Sequence, residues 1–348
     1  MNKNRRIRLL VVDDSMVFRE SLRTGLSADP SLEVVATAVD AYHARDQIIE
    51  FEPDVMVLDV ELPKMNGIEF LRRLMPQYPI PVVVMSGLGD YVFEALTYGA
   101  VDFVAKPGLG NKRSLDSFMN ELIVKIKIAS TAKVGHWKHR PSAARALPDR
   151  TSYDKADRLI AIGASTGGTE ALATILKAVP NHTPPILLVQ HMPAGFTRMF
   201  AERLNHECLI EIKEAEDGDR VIPGRALLAP GEYHMRLKKS GSGLVVSCLP
   251  GEKVSGHCPS VDVLFQSVAQ LAGRTAIGVL LTGMGRDGAQ GLLDMRRSGA
   301  RTLGQDEESS LIYGMPKVAW DLGAVERQTS IENMAQAIFS LVETKSAG

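Results

Sequence analysis

The chain has 348 residues, more than one ordinary domain of roughly 100–200 residues holds, and so predicts two domains. Its 45% hydrophobic and 23% charged residues exclude a disordered or fibrous protein, and a formal net charge of -1 excludes the overall basic excess expected of a nucleic-acid-binding protein. Cys208, Cys248 and Cys258 lie far apart with no CxxC pair, which argues against a disulfide framework or a zinc site and fits a reducing cytoplasm.

Basic residues precede the apolar run from Ile7 to Val12, but that run is too short for a signal-peptide core and ends in two aspartates. No stretch approaches the roughly 18–20 apolar residues of a membrane span, so direct membrane insertion is not expected. The runs IRLLVV, LEVVATA, DVMVLD, IPVVVMS and VDFVAK alternate with amphipathic segments, the pattern of βαβ units around a parallel sheet. The predicted class is α/β, with a doubly wound sheet.

Open parallel sheets bind ligands outside the carboxyl ends of their strands. There the first run delivers Asp13 and Asp14, the third Asp59, the fourth Ser86 and the fifth Lys106. Three converging carboxylates repel one another unless a cation joins them, and hard oxygen donors suit Mg²⁺. Asp59, the lone acid on the central strand, is the candidate nucleophile toward a phosphoryl group, with Lys106 and Ser86 placed to bind the transferred oxygens. A single aspartate after a strand is usually a turn or cap residue; a matched set at successive strand ends is harder to explain that way.

The motifs VVDDS, VLDVELPKMNG, Ser86 after VVVM, and FVAKP with Phe103 and Lys106 resemble the response-regulator receiver family across residues 7 to 125. The resemblance implies a flavodoxin-like domain that takes a phosphoryl group from a sensor histidine kinase onto Asp59. It also implies Mg²⁺ at Asp13, Asp14 and Asp59, and Ser86 and Phe103 as a switch pair beside Lys106.

Residues 129–156 have no sustained apolar period and predict a linker between a first domain at 1–128 and a second at 157–348. The α/β alternation then resumes in RLIAIGAS, PPILLVQHM, RALLAPG, GLVVSCLPG and TAIGVLLTGMG, predicting a second doubly wound domain. No helix-turn-helix pattern follows the linker, which disfavours a transcription factor.

In RLIAIGASTGG, Gly163, Ser165 and Gly167 form a G-x-S-x-G at a strand-to-helix turn, where small neighbours permit exposure of a nucleophilic hydroxyl. A phosphate cradle or a helix N-cap would use similar residues. His191 ends the next strand run and Asp287 lies just beyond TAIGVLLTG, so serine, base and acid fall on one sheet edge. Asp287 could instead cap the helix near Ala289. A rival triad would join Asp217 or Asp219 to His234 or His257, all in turn-rich segments.

GASTGG, QHMP, LAPGEYHM, PSVDVLF, LTGMGRDG and QDEESSLIYGMP together resemble the chemotaxis protein-glutamate methylesterases, the CheB family, over residues 157 to 345. The resemblance implies a Rossmann-like hydrolase with Ser165, His191 and Asp287 as its triad and the Met284 backbone amide as an oxyanion donor. The implied substrates are methylated glutamyl side chains of chemoreceptors, with receptor glutamines also deamidated and no cofactor needed in this domain. One departure is Cys258 before Pro259, where the family usually carries arginine. A fused receiver implies control by phosphorylation; a full swing from 1:99 to 99:1 would take about 5.5 kcal/mol. Two other functions fit the same residues: a receiver-controlled esterase for small esters or another protein, and a receptor-binding scaffold without catalysis.

Overall fold

The computed structural model describes residues 5–87, 89–107, 114–135, 147–148, 158–241 and 243–343. The chain forms two compact units, residues 1–140 and 141–348. Most of the expected linker at 129–156 lies outside the described residues.

The first unit runs β1 (Ile7–Val12), α1 (Met16–Ser27), β2 (Leu32–Ala38), α2 (Ala41–Phe51), β3 (Val55–Asp59), α3 (Gly67–Leu74), β4 (Val82–Ser86), α4 (Gly89–Thr97), β5 (Asp102–Ala105) and α5 (Leu115–Ala129). Each of the five apolar runs of the sequence supplies one strand. The order is β2-β1-β3-β4-β5, and every pairing is parallel. β3 and β4 are buried throughout, because helices cover both faces of such a sheet. Side-chain caps start the helices: Ser15 accepts from the Phe18 amide, Asp40 from His43, Asn66 from Glu69 and Ser114 from Ser117. α3 packs so closely on β3 that a Cβ at Gly67 would lie 2.5 Å from the Asp59 carbonyl oxygen.

The second unit begins with β6 (Leu159–Ala164), α6 (Gly168–Ala178), β7 (Ile186–Gln190), α7 (Phe196–Glu207), β8 (Glu211–Glu214) and β9 (Arg225–Leu228). It continues through β10 (Tyr233–Ser240), β11 (Gly243–Pro250), α8 (Val261–Leu271), β12 (Ala276–Leu280), α9 (Ala289–Arg297), β13 (Arg301–Gln305), α10 (Met315–Asp321), β14 (Arg327–Thr329) and α11 (Ile331–Glu343). Its seven-stranded parallel sheet has the order β14-β13-β12-β6-β7-β9-β8. β6 is central: the chain builds outward through β7 on one side, then crosses back to build through β12 on the other. The switch point, where a doubly wound sheet opens a crevice, therefore falls between β6 and β12.

One apolar run lies elsewhere than the sequence pattern suggests. GLVVSCLPG forms β11, which pairs antiparallel with β10 in a separate two-stranded ribbon, with Ser240 opposite Gly243. Both strands bury residues mainly on one side, Met235 and Leu237 against Val246 and Cys248, so a ribbon laid on the core satisfies them without a place in the parallel sheet. Conversely, β8, β13 and β14 are strands that hydrophobic runs did not signal, since EIKE, RTLGQ and RQT carry mostly polar letters.

β6 and α8 meet at a glycine. A Cβ at Gly163 would lie 2.2 Å from Cγ1 and 2.8 Å from Cγ2 of Val261, both buried. Gly163→Ala is expected to destabilise the second unit by about 1–3 kcal/mol, lowering its thermal transition by roughly 2–12 °C. The added change Val261→Ala should recover much of this loss. Circular-dichroism melting of both variants checks it, and a Gly163→Ala transition equal to wild type would contradict the packing.

Candidate active site

At the carboxyl edge of the first sheet, Asp13 is fully buried, Asp59 nearly so, and Asp14 exposed. One carboxylate oxygen from each lies within 4.8 Å of the others. The Lys106 Nζ donates to Asp59 Oδ2 at 2.6 Å and to Asp13 Oδ2 at 2.9 Å, while the Glu61 and Ser15 amides donate to the other oxygens of these two acids. Burial pushes the Asp59 carboxyl up to about 6, against the opposing pull of Lys106. A group of three oxygen donors around a space already shared by a cationic ammonium fits a small hard divalent cation.

Ser86 ends β4 and is buried; its carbonyl accepts from the Lys106 amide at 2.9 Å. Phe103 sits on neighbouring β5 opposite Val84, buried beneath the Lys125 ammonium, which lies 4.9 Å from its ring centroid. The structure thus brings Asp13, Asp14, Asp59, Ser86 and Lys106 to one edge, with Phe103 one strand-step behind.

In the second unit, Ser165, His191 and Asp287 follow β6, β7 and β12, three adjacent strands. The β6–β7 register pairs Ala164 with Gln190, so Ser165 and His191 are the next residues on neighbouring strands, whose axes run about 4.8 Å apart. The Gln190 side chain ties the two strand ends, donating from Nε2 to the Ser165 carbonyl at 2.9 Å and the His191 carbonyl at 3.2 Å. Ser165 does not cap the helix that follows. The N-cap of α6 is Gly167, with φ 79° and no side-chain cap. Such a backbone suits glycine and leaves the serine hydroxyl unused by the helix.

Asp287 also escapes its bland reading. Gly288, not Asp287, is the N-cap of α9. The Asp287 carboxylate instead sits on the N-terminus of α8: Ser260 Oγ donates to Oδ1 at 2.7 Å, the Asp262 amide to Oδ1 at 3.1 Å and the Val261 amide to Oδ2 at 2.7 Å. His191 Nε2 lies 2.7 Å from Oδ2. Burial works to raise the Asp287 pKa, but hydrogen bonds and charge from His191, then Ser260 and Val261, hold it below the ordinary carboxylate range. An ionised acceptor requires that His191 carry its proton on Nε2. The other ring nitrogen, Nδ1, is buried and has no hydrogen-bond partner among the described residues. A basic nitrogen is thereby left available on the edge that carries Ser165.

The segment 282–284 closes in from β12. The Ser165 amide donates to the Thr282 carbonyl at 3.0 Å, and a Cβ at Gly283 would lie 2.6 Å from the Ser165 Cβ. Glycine alone permits this approach, which brings the next peptide, that of Met284, beside the serine. Among the described residues the Met284 amide has no acceptor.

The rival residues have other tasks. His234 accepts from the Ser260 amide at Nδ1 and reaches the Glu252 carbonyl through Nε2, so both its nitrogens serve backbone. Asp217 accepts from the Cys248 amide, and Asp219 from the Glu216 amide and Lys213. His257 does enter the site, but as a ring stacked on His191 at a centroid distance of 3.6 Å and an interplanar angle of 8°. Cys258 is half-buried and precedes a cis peptide to Pro259. Sequence reasoning missed Ser260 as the residue that anchors Asp287; its signal was a serine immediately before an apolar helical run.

The chain matches the family model described as CheB methylesterase over residues 160–338 and that described as response regulator receiver domain over residues 9–115. It is 60% identical to the protein-glutamate methylesterase/protein-glutamine glutaminase 2 of Syntrophomonas wolfei subsp. wolfei, over 97% of this chain and 98% of that one. It is 51% identical to the protein-glutamate methylesterase/protein-glutamine glutaminase of Syntrophotalea carbinolica, over 98% and 99% of the two chains. Among solved structures, the methylesterase catalytic domain of Thermotoga maritima CheB superposes with a TM-score of 0.51 at 34% identity, covering 53% of this chain and 97% of that one. With both family models matched and near-complete coverage of such relatives, the chain belongs to the CheB methylesterase family and carries a response-regulator receiver domain ahead of its methylesterase domain.

Proposed function

We propose that this protein is a phosphorylation-activated hydrolase that demethylates glutamyl methyl esters, and deamidates glutamines, on bacterial chemoreceptors, and so sets sensory adaptation. Its receiver domain occupies residues 1–128, a linker 129–156 and the methylesterase domain 157–348. It acts in the cytoplasm, with the receptors as substrate and a sensor histidine kinase as phosphodonor.

The observation that carries the catalytic half is the His191–Asp287 hydrogen bond of 2.7 Å with a buried Nδ1 on the same imidazole that has no partner among the described residues. Ser165 Oγ attacks the ester carbonyl carbon while its proton passes to His191 Nδ1. The tetrahedral oxyanion is held by the Met284 amide. Its collapse breaks the bond to the methoxy oxygen, which takes the proton from the imidazolium and leaves as methanol. Water, deprotonated by the same Nδ1, then hydrolyses the acyl-enzyme and frees the glutamate carboxylate and Ser165. With a glutamine substrate the leaving group is ammonia. Asp287 holds the imidazole orientation and stabilises the imidazolium.

In the receiver, Asp13, Asp14 and Asp59 would hold Mg²⁺, which supplies neutralising charge for the transferred phosphoryl group. Asp59 accepts that group, Lys106 and Ser86 bind its oxygens, and Ser86 and Phe103 rearrange together. The short distances from Lys106 to Asp13 and Asp59 support this assignment.

Methanol release from methylated receptor tests both halves. Ser165→Ala should lower release by at least about a thousandfold, and acetyl phosphate with Mg²⁺ should raise release by wild type. No release from wild type under either condition would favour a scaffold or another ester. Asp59→Asn, or chelation of Mg²⁺, is expected to abolish the rise without abolishing unstimulated release; a rise that survives both would exclude Asp59 as the phosphorylated residue.

A further inference from the structure

The imidazole of His191 makes one hydrogen bond, to Asp287, and its Nδ1 has no partner among the described residues. A single bond in the ring plane fixes one vertex of the ring but does not resist a tilt about that bond. Such a tilt would swing Nδ1 away from the serine. On the face of the ring His257 lies parallel, at 3.6 Å and 8°.

His257 is itself held by an unusually constrained piece of backbone. Val254 and His257 exchange hydrogen bonds of 3.0 and 2.9 Å across a turn whose two central residues, Ser255 and Gly256, both have positive φ, 52° and 87°. This is the pattern of a type I′ turn, a tight two-residue reversal. Immediately after it the Cys258 carbonyl accepts from the Glu232 amide at 3.2 Å. Two residues further on, Ser260 donates from its amide to His234 Nδ1 and from Oγ to Asp287. The segment 254–262 therefore touches both partners of the acid–base pair: His257 covers the face of His191, and Ser260, Val261 and Asp262 bind the carboxylate that orients it.

We propose that His257 is a positioning residue for the base, clamping the His191 ring at the tilt that keeps Nδ1 available to Ser165 and presenting a π face to the imidazolium when it forms. The proposal rests on the Ser165–His191–Asp287 reading. His257 neither takes a proton nor touches substrate in this account; a flat aromatic ring on the same backbone should do the same work.

The test uses the full-length protein and four enzymes: wild type, His257→Ala, His257→Phe and His191→Ala. Two rates are read, steady-state methanol release from methylated receptor and phosphonylation of Ser165 by a small fluorophosphonate, which needs an activated serine but no receptor binding. For His257→Ala, kcat is expected to fall by about 10–100-fold with KM unchanged, and phosphonylation to slow by the same factor, the size of effect a misplaced catalytic group produces. His257→Phe is expected to restore most of both rates. Wild-type rates in His257→Ala, a loss confined to KM, or a folded His257→Phe no faster than His257→Ala would each overturn the clamp. If His257→Ala unfolds, the His257→Phe rates decide alone: near wild type they support the clamp, and at the level of His191→Ala they overturn it. Wild-type release by His191→Ala would instead bring down the triad reading, and the clamp with it.

Discussion

The catalytic unit depends on one buried carboxylate. An ionised aspartate inside a protein is costly unless its charge is met by hydrogen bonds, and Asp287 receives three from the start of α8 before it meets His191. The positive end of the helix adds to that stabilisation. The carboxylate is thus kept charged, which sets the proton of His191 on Nε2 and leaves Nδ1 bare for the part of base that we propose for it. Asp262, in the same first turn, is pushed up to about 6 by burial, with the neighbouring Asp287 charge adding to the shift, and its carboxylate accepts from the Gly291 amide. One of two adjacent acids is held ionised while the other is driven toward its neutral form. Such separation is expected where a site needs a single fixed charge.

The two units meet the same topological demand with different chemistry. Both gather polar groups at the carboxyl edge of a parallel sheet whose central strands are almost wholly apolar. In the receiver the gathered groups are acids, compensated by the Lys106 ammonium and suited to a divalent cation. In the methylesterase unit they are a hydroxyl, an imidazole and one acid, compensated by backbone amides and a serine. Close backbone approach makes both arrangements possible. Gly67 lets α3 settle on the Asp59 peptide, and Gly283 lets the β12 loop reach the back of Ser165.

Much of this was legible in the sequence, because parallel strands buried on both faces write themselves as continuous apolar runs and deliver their last residues to one edge. All five receiver strands and the positions of Asp13, Asp59, Ser86 and Lys106 follow from that rule, as do Ser165 and His191. What was not legible depends on contacts between distant segments. β13 is buried, yet RTLGQ reads as polar because Thr302 and Gln305 bond to the Ala324 carbonyl and to the Thr282 amide inside the core. GLVVSCLPG reads as a sheet strand but pairs with β10, since periodicity records burial and not partner. Asp287 was placed on the right edge as a candidate acid, but its anchor was not legible: the sequence offers only the neighbouring α9 as a helix for it to serve, and the helix it binds, α8, begins 26 residues earlier. The stack of His257 on His191 has no local signal at all.

The central claim is the protonation pattern of one imidazole. In protein labelled with ¹⁵N at histidine, with His191 assigned by comparison with His191→Ala, the account predicts at about pH 8, where an ordinary imidazole is neutral, a protonated Nε2 with a strongly deshielded proton and a bare Nδ1. Asp287→Asn should remove that deshielding. A His191 ring protonated on Nδ1 and bare at Nε2 would contradict the account, since the base would then face Asp287 and not the nucleophile.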